Sequence, residues 1–340
     1  MTDPMMRAAA GLGAALLLAT PAAANDSTAQ LGAGGLELTR SDDIEMRSED
    51  LFVSEREVRV DYVFRNTGPA DQTVLVAFPM PEIGGERFQY GDVAVPFPDS
   101  PNILGFSTTV DGKPVEARVE QKALANGLDQ TAWLRRHGIP INPMAEGVTA
   151  ALDALPAAVQ AEAVRLGLAM VDEYDAGSGM ERHHAPLWTL KTTYFWEQAF
   201  PAGRDVRVSH RYTPSVGGSV GSFTDLDDLS GSDWWPEQRD RYCVEPSFLN
   251  AAKTARTSGR APNGHQEFWI EYVLTTGANW KKPIGDFRLV VDKGATENLV
   301  SFCADGVKKI APTQFEVRHR NWTPARDLSI VIVKPLRMSE

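Results

Sequence analysis

The sequence predicts a mainly β protein, a β-sandwich with an inserted helical segment that is followed by a second β unit. Three observations support this fold class: short runs of alternating apolar and polar residues, turn residues between those runs, and one Ala/Leu/Glu-rich stretch with helical spacing. The length of 340 residues suits about two domains. We expect a sandwich domain at residues 25–216, with helices at about 120–187, and a β domain at residues 217–340.

The first residues of the chain have the layout of a secretory signal. Arg7 precedes an apolar run at residues 8–19, and the small residues Ala22 and Ala24 follow. We expect a signal peptide at residues 1–24 and a mature chain that is periplasmic or secreted. An uncleaved anchor is the alternative, but the run of about a dozen residues is shorter than the roughly 20 that a spanning helix needs.

The composition excludes some partners. The net charge is −11, and no Lys/Arg-rich run occurs, so the attraction to phosphate on which nucleic-acid binding depends is missing. Nothing after residue 25 is apolar enough to span a membrane, so we expect no transmembrane segment in the mature chain.

The N-terminal β unit is predicted from apolar residues at every second position. One such run covers residues 58–64 and ends in a turn sequence at 65–69, and another ends near Pro79, which cannot donate to a strand ladder. Asp111-Gly112 lies between two further runs and is typical of a hairpin. The alternating residues are Val58, Val60, Tyr62, Phe64, Val74, Val76, Phe78, Phe106, Thr108, Val110, Val115, Ala117 and Val119.

The inserted segment is predicted from a change of period. Pro156 suits a helix start, so we expect a break near Leu155. Strand patterning returns at residues 190–196 and 206–212, where His210 shares an apolar face and is expected to be a hydrogen-bonded core histidine. The residues expected on one helical face are Leu152, Leu155, Val159, Ala163, Leu166 and Met170.

The C-terminal β unit follows a Gly/Ser/Asp-rich stretch at residues 215–233. It contains the only two cysteines, and in an oxidising compartment we expect a Cys243–Cys303 disulfide. A redox pair is the alternative, but the Cys-x-x-Cys spacing is absent. The alternating residues of this unit are Phe268, Ile270, Tyr272, Phe287, Leu289, Val291, Leu328, Ile330 and Ile332.

Several short sequence words, spread over nearly the whole mature chain, carry a family resemblance. The chain resembles the bacterial exported family known as domain of unknown function 4424. The resemblance implies export and a largely β architecture, and it supplies no activity, cofactor or catalytic residue. The words are Asn25-Asp26-Ser27, Gly34-Gly35-Leu36, Met46-Arg47-Ser48-Glu49-Asp50-Leu51, Val76-Ala77-Phe78-Pro79-Met80-Pro81, Trp196-Glu197-Gln198-Ala199-Phe200-Pro201, His210-Arg211-Tyr212, Thr275-Thr276-Gly277-Ala278-Asn279-Trp280 and Pro283-Ile284.

A second set of words resembles the inter-alpha-trypsin-type N-terminal domain of some secreted proteins. Asp111-Gly112-Lys113, the stretch that begins at Glu120, and Phe200-Pro201-Ala202-Gly203 carry this likeness. It implies a β-sandwich used for display or adhesion. The helical insertion departs from that pattern.

Candidate metal ligands occur in two places, each with an alternative interpretation. His183 and His184 offer imidazoles suited to zinc or copper, or they belong to a solvated loop. Asp225 and Asp227 offer oxygen ligands for calcium, or they belong to an acidic exposed linker, since the spacing of a twelve-residue calcium loop is absent. We assign no metal and no cofactor from the sequence.

No catalytic residue is assigned, because a Ser-x-x-Lys pattern is absent and a catalytic cysteine would have to stay outside the disulfide. Trp234, Trp235, Asn279 and Trp280 are the candidate binding residues, since loop aromatics can contact a ligand; partial burial is the alternative. Trp188 and Trp196 are expected in the core.

The favoured function is a non-catalytic periplasmic binding or structural interaction protein that contacts an envelope protein or glycan. A metal-dependent hydrolase built on His183, His184 and the acidic loop is the alternative.

Overall fold

The computed structural model describes residues 25–33, 35–85, 92–175 and 177–337. It confirms the mainly β prediction, with three large sheets and few helices. The signal peptide expected at residues 1–24 lies outside the described residues. Within the described part of the chain, none of the helices has the length and apolar character needed to cross a membrane.

The first sheet has seven strands, all antiparallel to their neighbours. Six of them are hydrogen-bonded in the order β11-β10-β14-β5-β1-β2. The seventh strand, β6, pairs with β14 on the same side as β5. Its strands are β1 (Ser27–Gly32), β2 (Gly35–Thr39), β5 (Gln72–Pro79), β6 (Ile83–Gly84), β10 (Arg118–Ala125), β11 (Leu128–Asp129) and β14 (Thr189–Phe200).

The second sheet has eight strands in the order β20-β21-β18-β3-β4-β15-β8-β9. Its pairings are antiparallel except for β3 with β18. The strands are β3 (Ile44–Val53), β4 (Val58–Asn66), β8 (Ser107–Val110), β9 (Lys113–Val115), β15 (Asp205–Tyr212), β18 (Ile284–Asp292), β20 (Lys308–Lys309) and β21 (Gln314–Trp322).

The third sheet has five strands in the order β19-β22-β17-β16-β7. They are β7 (Asp92–Ala94), β16 (Val216–Ser219), β17 (His265–Tyr272), β19 (Leu299–Phe302) and β22 (Leu328–Pro335). Two helices lie between β16 and β17 in the sequence, α4 (Trp235–Tyr242) and α5 (Pro246–Thr257). Short 3-10 turns occupy Phe223–Asp225 and Thr275–Asn279.

One main core is built from all three sheets, because apolar side chains recur at every second strand position. In β15, Val206, Val208, His210 and Tyr212 are buried, as the alternation predicts. Trp196 of β14 is also buried, as expected. The Asp111-Gly112 hairpin is present between β8 and β9, and both turn residues have positive φ.

The inserted segment contains helices and a strand hairpin. The helices are α1 (Thr131–Arg136), α2 (Val148–Asp153) and α3 (Ala157–Arg165), and α3 starts directly after Pro156 as predicted. They form a second, smaller core with Trp188. The hairpin pairs β12 (Ala169–Asp175) with β13 (Met180–Pro186), so Met170 lies in a strand rather than on the predicted helical face.

The helices therefore cover a shorter stretch than the predicted 120–187. Residues 118–125 form β10 despite their helix-favouring Ala, Leu and Gln content, because every residue from 118 to 124 pairs with β14. The insertion therefore lies between β10 and β14, two strands that pair with each other in the first sheet. The predicted domain boundary at residue 217 stays a prediction; the β3 and β18 ladder links residues on its two sides.

Candidate functional site

A groove opens where the second and third sheets meet near the C-terminus, and we call it the C-terminal groove. Its volume is about 790 Å³, within the range of small-ligand sites. Cys243 and Cys303 lie at its wall with their sulfur atoms 2.06 Å apart, the distance of a disulfide bond. The apolar and aromatic lining comes from four strands and the loops beside them, and includes Leu274, Phe287, Leu289, Val300, Phe302, Ala304, Val307, Phe315, Val317, Trp322 and Leu328.

Aromatic rings form one side of the groove. The ring centroids of Trp322 and Phe287 are 4.5 Å apart, and His319 stacks on Trp322 at 5.1 Å. Phe287 is fully buried, whereas Trp322 and His319 are partly exposed. Planar, partly exposed rings of this kind can pack against an apolar or aromatic group of a ligand.

The charged groups of the groove are few, and some are already engaged. The Asp327 carboxylate accepts hydrogen bonds from the backbone N–H groups of Leu274 and Thr275, both at 3.0 Å. Arg326 donates to the carbonyl of Asp240 at 3.1 Å, which directs its guanidinium toward α4. The groove therefore offers mainly apolar contact.

A second unusual feature lies inside the main core, where polar side chains surround the first described residues. We call this set the buried network. Each of its members is at most 2% exposed, and most polar groups buried this deeply in proteins are paired. The buried network consists of Asn25, Asp26, Glu49, Tyr62, His210, Tyr272 and Thr276.

An Asp–His pair forms one half of the buried network. His210 Nε2 lies 3.1 Å from Asp26 Oδ1, and both side chains are fully buried. Burial raises the pKa of the Asp26 carboxyl, and the charge of His210 acts in the opposite direction. The expectation that His210 is a hydrogen-bonded core histidine is confirmed.

Glu49 and two tyrosines form the other half. Asn25 Nδ2 donates to Glu49 Oε2 at 2.9 Å, and the Tyr62 hydroxyl donates to Asn25 Oδ1 at 2.5 Å. Since Tyr62 uses its single hydrogen there, Tyr272 is the donor in the 3.0 Å contact between the two hydroxyls. Burial raises the pKa of Glu49 to about 8, and Glu49 Oε1 has no hydrogen-bond partner.

Glu49 faces inward because of a β-bulge. The register of β3 against β4 shifts between Met46 and Ser48, which moves the buried face from even-numbered to odd-numbered residues. Ile44 and Met46 are therefore buried before the bulge, and Glu49 and Leu51 after it. Strand periodicity alone did not predict the inward position of Glu49, and the only signal for it was its even spacing from Leu51 and Val53, which face inward.

Two of the candidate binding residues hold the segment that begins at Asp26: Trp280 is buried and Asn279 is half-buried. Trp280 is 1% exposed, and its indole N–H donates to the backbone carbonyl of Asp26 at 2.7 Å. Asn279 Nδ2 donates to Ser27 Oγ at 3.0 Å. Trp280 packs on Phe64 and Phe200, so its rings are covered and cannot present a binding face.

The other two candidates lie at the start of α4. Trp235 packs against Phe223 in a small cluster, with ring centroids 5.3 Å apart. Trp234 is 44% exposed and meets Trp235 edge to face. A binding role for Trp234 and Trp235 stays a prediction. Trp188 is buried, as expected.

The candidate metal ligands are engaged by neighbouring side chains. The Asp153 carboxylate is hydrogen-bonded to His183 Nδ1 at 2.8 Å and to His184 Nδ1 at 2.9 Å. Asp225 bonds His265 Nδ1 at 2.7 Å, and the side chain of Asp227 is 97% exposed. Among the residues that the structure describes, no three His, Cys, Asp or Glu side chains are grouped to hold a metal ion.

Comparisons with known proteins identify a family and a distant structural similarity. A family model described as "Domain of unknown function (DUF4424)" matches residues 24–331. No curated protein matches the chain. A solved structure from Legionella pneumophila, titled a "putative nutrient binding protein", is similar over 92% of this chain and 70% of its own, with 15% identity and a TM-score of 0.43.

Proposed function

We propose that this chain, which belongs to the DUF4424 family, is an exported, non-catalytic binding protein that takes an apolar or aromatic group of an envelope partner into the C-terminal groove. The observation that carries the proposal is the groove itself, with its volume of about 790 Å³ and its mainly apolar lining. Sites of this size and character commonly bind small ligands or ligand side chains.

The partly exposed rings of Trp322 and His319 favour an aromatic or aliphatic side chain of an envelope protein over a glycan. A glycan needs several polar partners, and two of the four Asp, Glu and Arg side chains at the groove, Arg326 and Asp327, are already engaged. The disulfide at the groove wall ties the end of α4 to the end of β19 and so stabilises one side of the site.

Anilinonaphthalene sulfonate, a fluorescent apolar probe, tests the groove. We expect saturable binding to the folded protein, and we expect Ala325→Trp to weaken it at least fivefold, because Ala325 is exposed at the groove and a larger ring there fills it. Ala158→Trp, on an exposed position of α3, is the matched control and should leave the affinity unchanged. Equal affinities of the two variants, or a signal that does not saturate, would contradict the proposal.

A further inference from the structure

Residues 25–27 are held deep inside the sandwich. All three are fully buried, although they precede or begin the first strand. The Asn25 backbone nitrogen donates to Thr276 Oγ1 at 2.5 Å, and Thr276 Oγ1 donates in turn to the Asn25 carbonyl at 2.7 Å. Ser27 then pairs with Ala77 of β5. The core therefore encloses Asn25, and both its backbone nitrogen and its carbonyl are hydrogen-bonded to Thr276.

This site holds more acidic groups than groups that can carry a positive charge. Asp26 and Glu49 are two buried acids, and among the described residues of the buried network His210 is the only group that can carry a positive charge. That imidazole bonds Asp26, which leaves Glu49 without a cationic partner. Glu49 Oε1 also lacks any hydrogen-bond donor. A buried carboxylate is strongly unfavourable unless it is paired.

We propose that the buried network is a binding site for the α-ammonium group of Asn25, which cleavage before this residue releases, and that the Glu49 carboxylate is its counter-ion. The proposal rests on the export part of the proposed function. Hydrolysis by a signal peptidase adds one water across the bond between Ala24 and Asn25. It leaves a carboxylate on Ala24 and an amine on Asn25, which takes up a proton.

Cleavage changes what Asn25 supplies to the site. An amide nitrogen carries one hydrogen, and Thr276 Oγ1 already accepts it. An ammonium group carries three hydrogens and one positive charge, so two further donors become available. The Asn25 side-chain amide donates to Glu49 at 2.9 Å, and the backbone nitrogen lies four covalent bonds from that amide nitrogen within the same residue. Cleavage before Asn25 therefore supplies the buried network with the positive charge and the donors that it lacks.

Two chains test the proposal. The processed chain starts at Asn25 and the extended chain starts at Thr20, and both are released from a fusion whose protease leaves no extra residue. With the disulfide formed, we expect the unfolding equilibrium constant in urea at pH 7 to be at least tenfold smaller for the processed chain. Introducing Glu49→Gln into both chains should reduce this difference to less than threefold.

Glu267→Gln is the matched control, because burial also raises the pKa of Glu267, to about 7, and its Oε2 is also unpaired. This change should leave the tenfold difference intact. Equal stability of the processed and extended chains would overturn the proposal, as would a difference that persists with Glu49→Gln.

A labelling experiment keeps the test valid even if Glu49→Gln does not fold. In the folded processed chain, we expect an amine-reactive acetylating ester to modify exposed lysines and to spare the Asn25 amine, which should react only after unfolding. Equal labelling of that amine in the folded and unfolded chains would refute the site.

Failure of the proposed function can be distinguished from failure of this inference. N-terminal sequencing of the periplasmic protein tests export and the cleavage position, and a mature chain that starts at another residue would overturn the inference. The fluorescent-probe titration tests the groove alone, so its failure would leave the α-ammonium site standing.

Discussion

The buried carboxyl of Glu49 predicts an unusual pH dependence for the extended chain, in which Asn25 is joined to residue 24 by an amide. Folding raises the pKa of Glu49 from 4.5 to about 8, chiefly through burial. Between these values the folded chain holds a proton that the unfolded chain has lost, so the free energy of unfolding falls as the pH rises. The interval spans about 3.5 pH units at 1.36 kcal/mol each, which is a loss of about 5 kcal/mol.

Urea unfolding of the extended chain at intervals from pH 4.5 to pH 8.5 measures this loss, and urea is chosen because it adds no ions. Glu49→Gln removes the titrating group and leaves the Asp26–His210 pair in place. We expect the free energy of the unsubstituted chain to fall relative to this variant by several kcal/mol and to level off only above pH 8. In the processed chain the ammonium group stabilises the carboxylate, so the fall should be small. Parallel pH profiles for the extended chain and its variant would refute the reasoning.

Two further predictions concern stability at neutral pH. Replacing both cysteines, Cys243→Ala with Cys303→Ala, should lower the free energy of unfolding by about 4 kcal/mol, the loop-entropy value for a bridge across 60 residues; an unchanged urea midpoint would contradict it. Trp280→Phe should cost about 1–3 kcal/mol in thermal unfolding, because the buried carbonyl of Asp26 loses its donor. Trp234→Phe, on an exposed side chain, should change stability by less than about 0.5 kcal/mol, and equal effects of the two substitutions would show that the indole hydrogen bond contributes nothing.

The strands with strict alternation were predictable from the sequence. β4 and β15 pair along their whole predicted lengths, and their apolar faces are buried as expected. The Asp111-Gly112 hairpin and the helix that starts after Pro156 were also predictable. Each of these features depends on a local rule, either the period of side chains or the backbone preference of one or two residues.

The extent of the helical insertion was not predictable, because its ends depend on distant partners. Residues 118–125 became a strand through pairing with β14, which lies more than sixty residues away in sequence. The hairpin of β12 and β13 is largely exposed and polar, so it has little hydrophobic period to reveal it. Local composition therefore favoured a helix where long-range pairing decided for a strand.

The site was less predictable than the fold. Asn279 and Trp280 follow a turn in the sequence, and this position suggested exposure. In the structure they hold residues 26 and 27 by hydrogen bonds that join positions about 250 residues apart. The C-terminal groove likewise depends on two sheets that meet in space, and no single stretch of sequence encodes it.

The sequence by itself determined the β character of this protein, the pairing of its two cysteines and the position of His210 on a buried face. These follow from side-chain periodicity and from a count of two thiols. Only the tertiary structure decided which polar groups lie inside. A one-residue bulge in β3 turned Glu49 inward, and the meeting of the sheets enclosed Asn25 and Asp26 beside it. Burial is a property of the whole assembly, because the atoms that exclude water from a residue come mostly from distant parts of the chain.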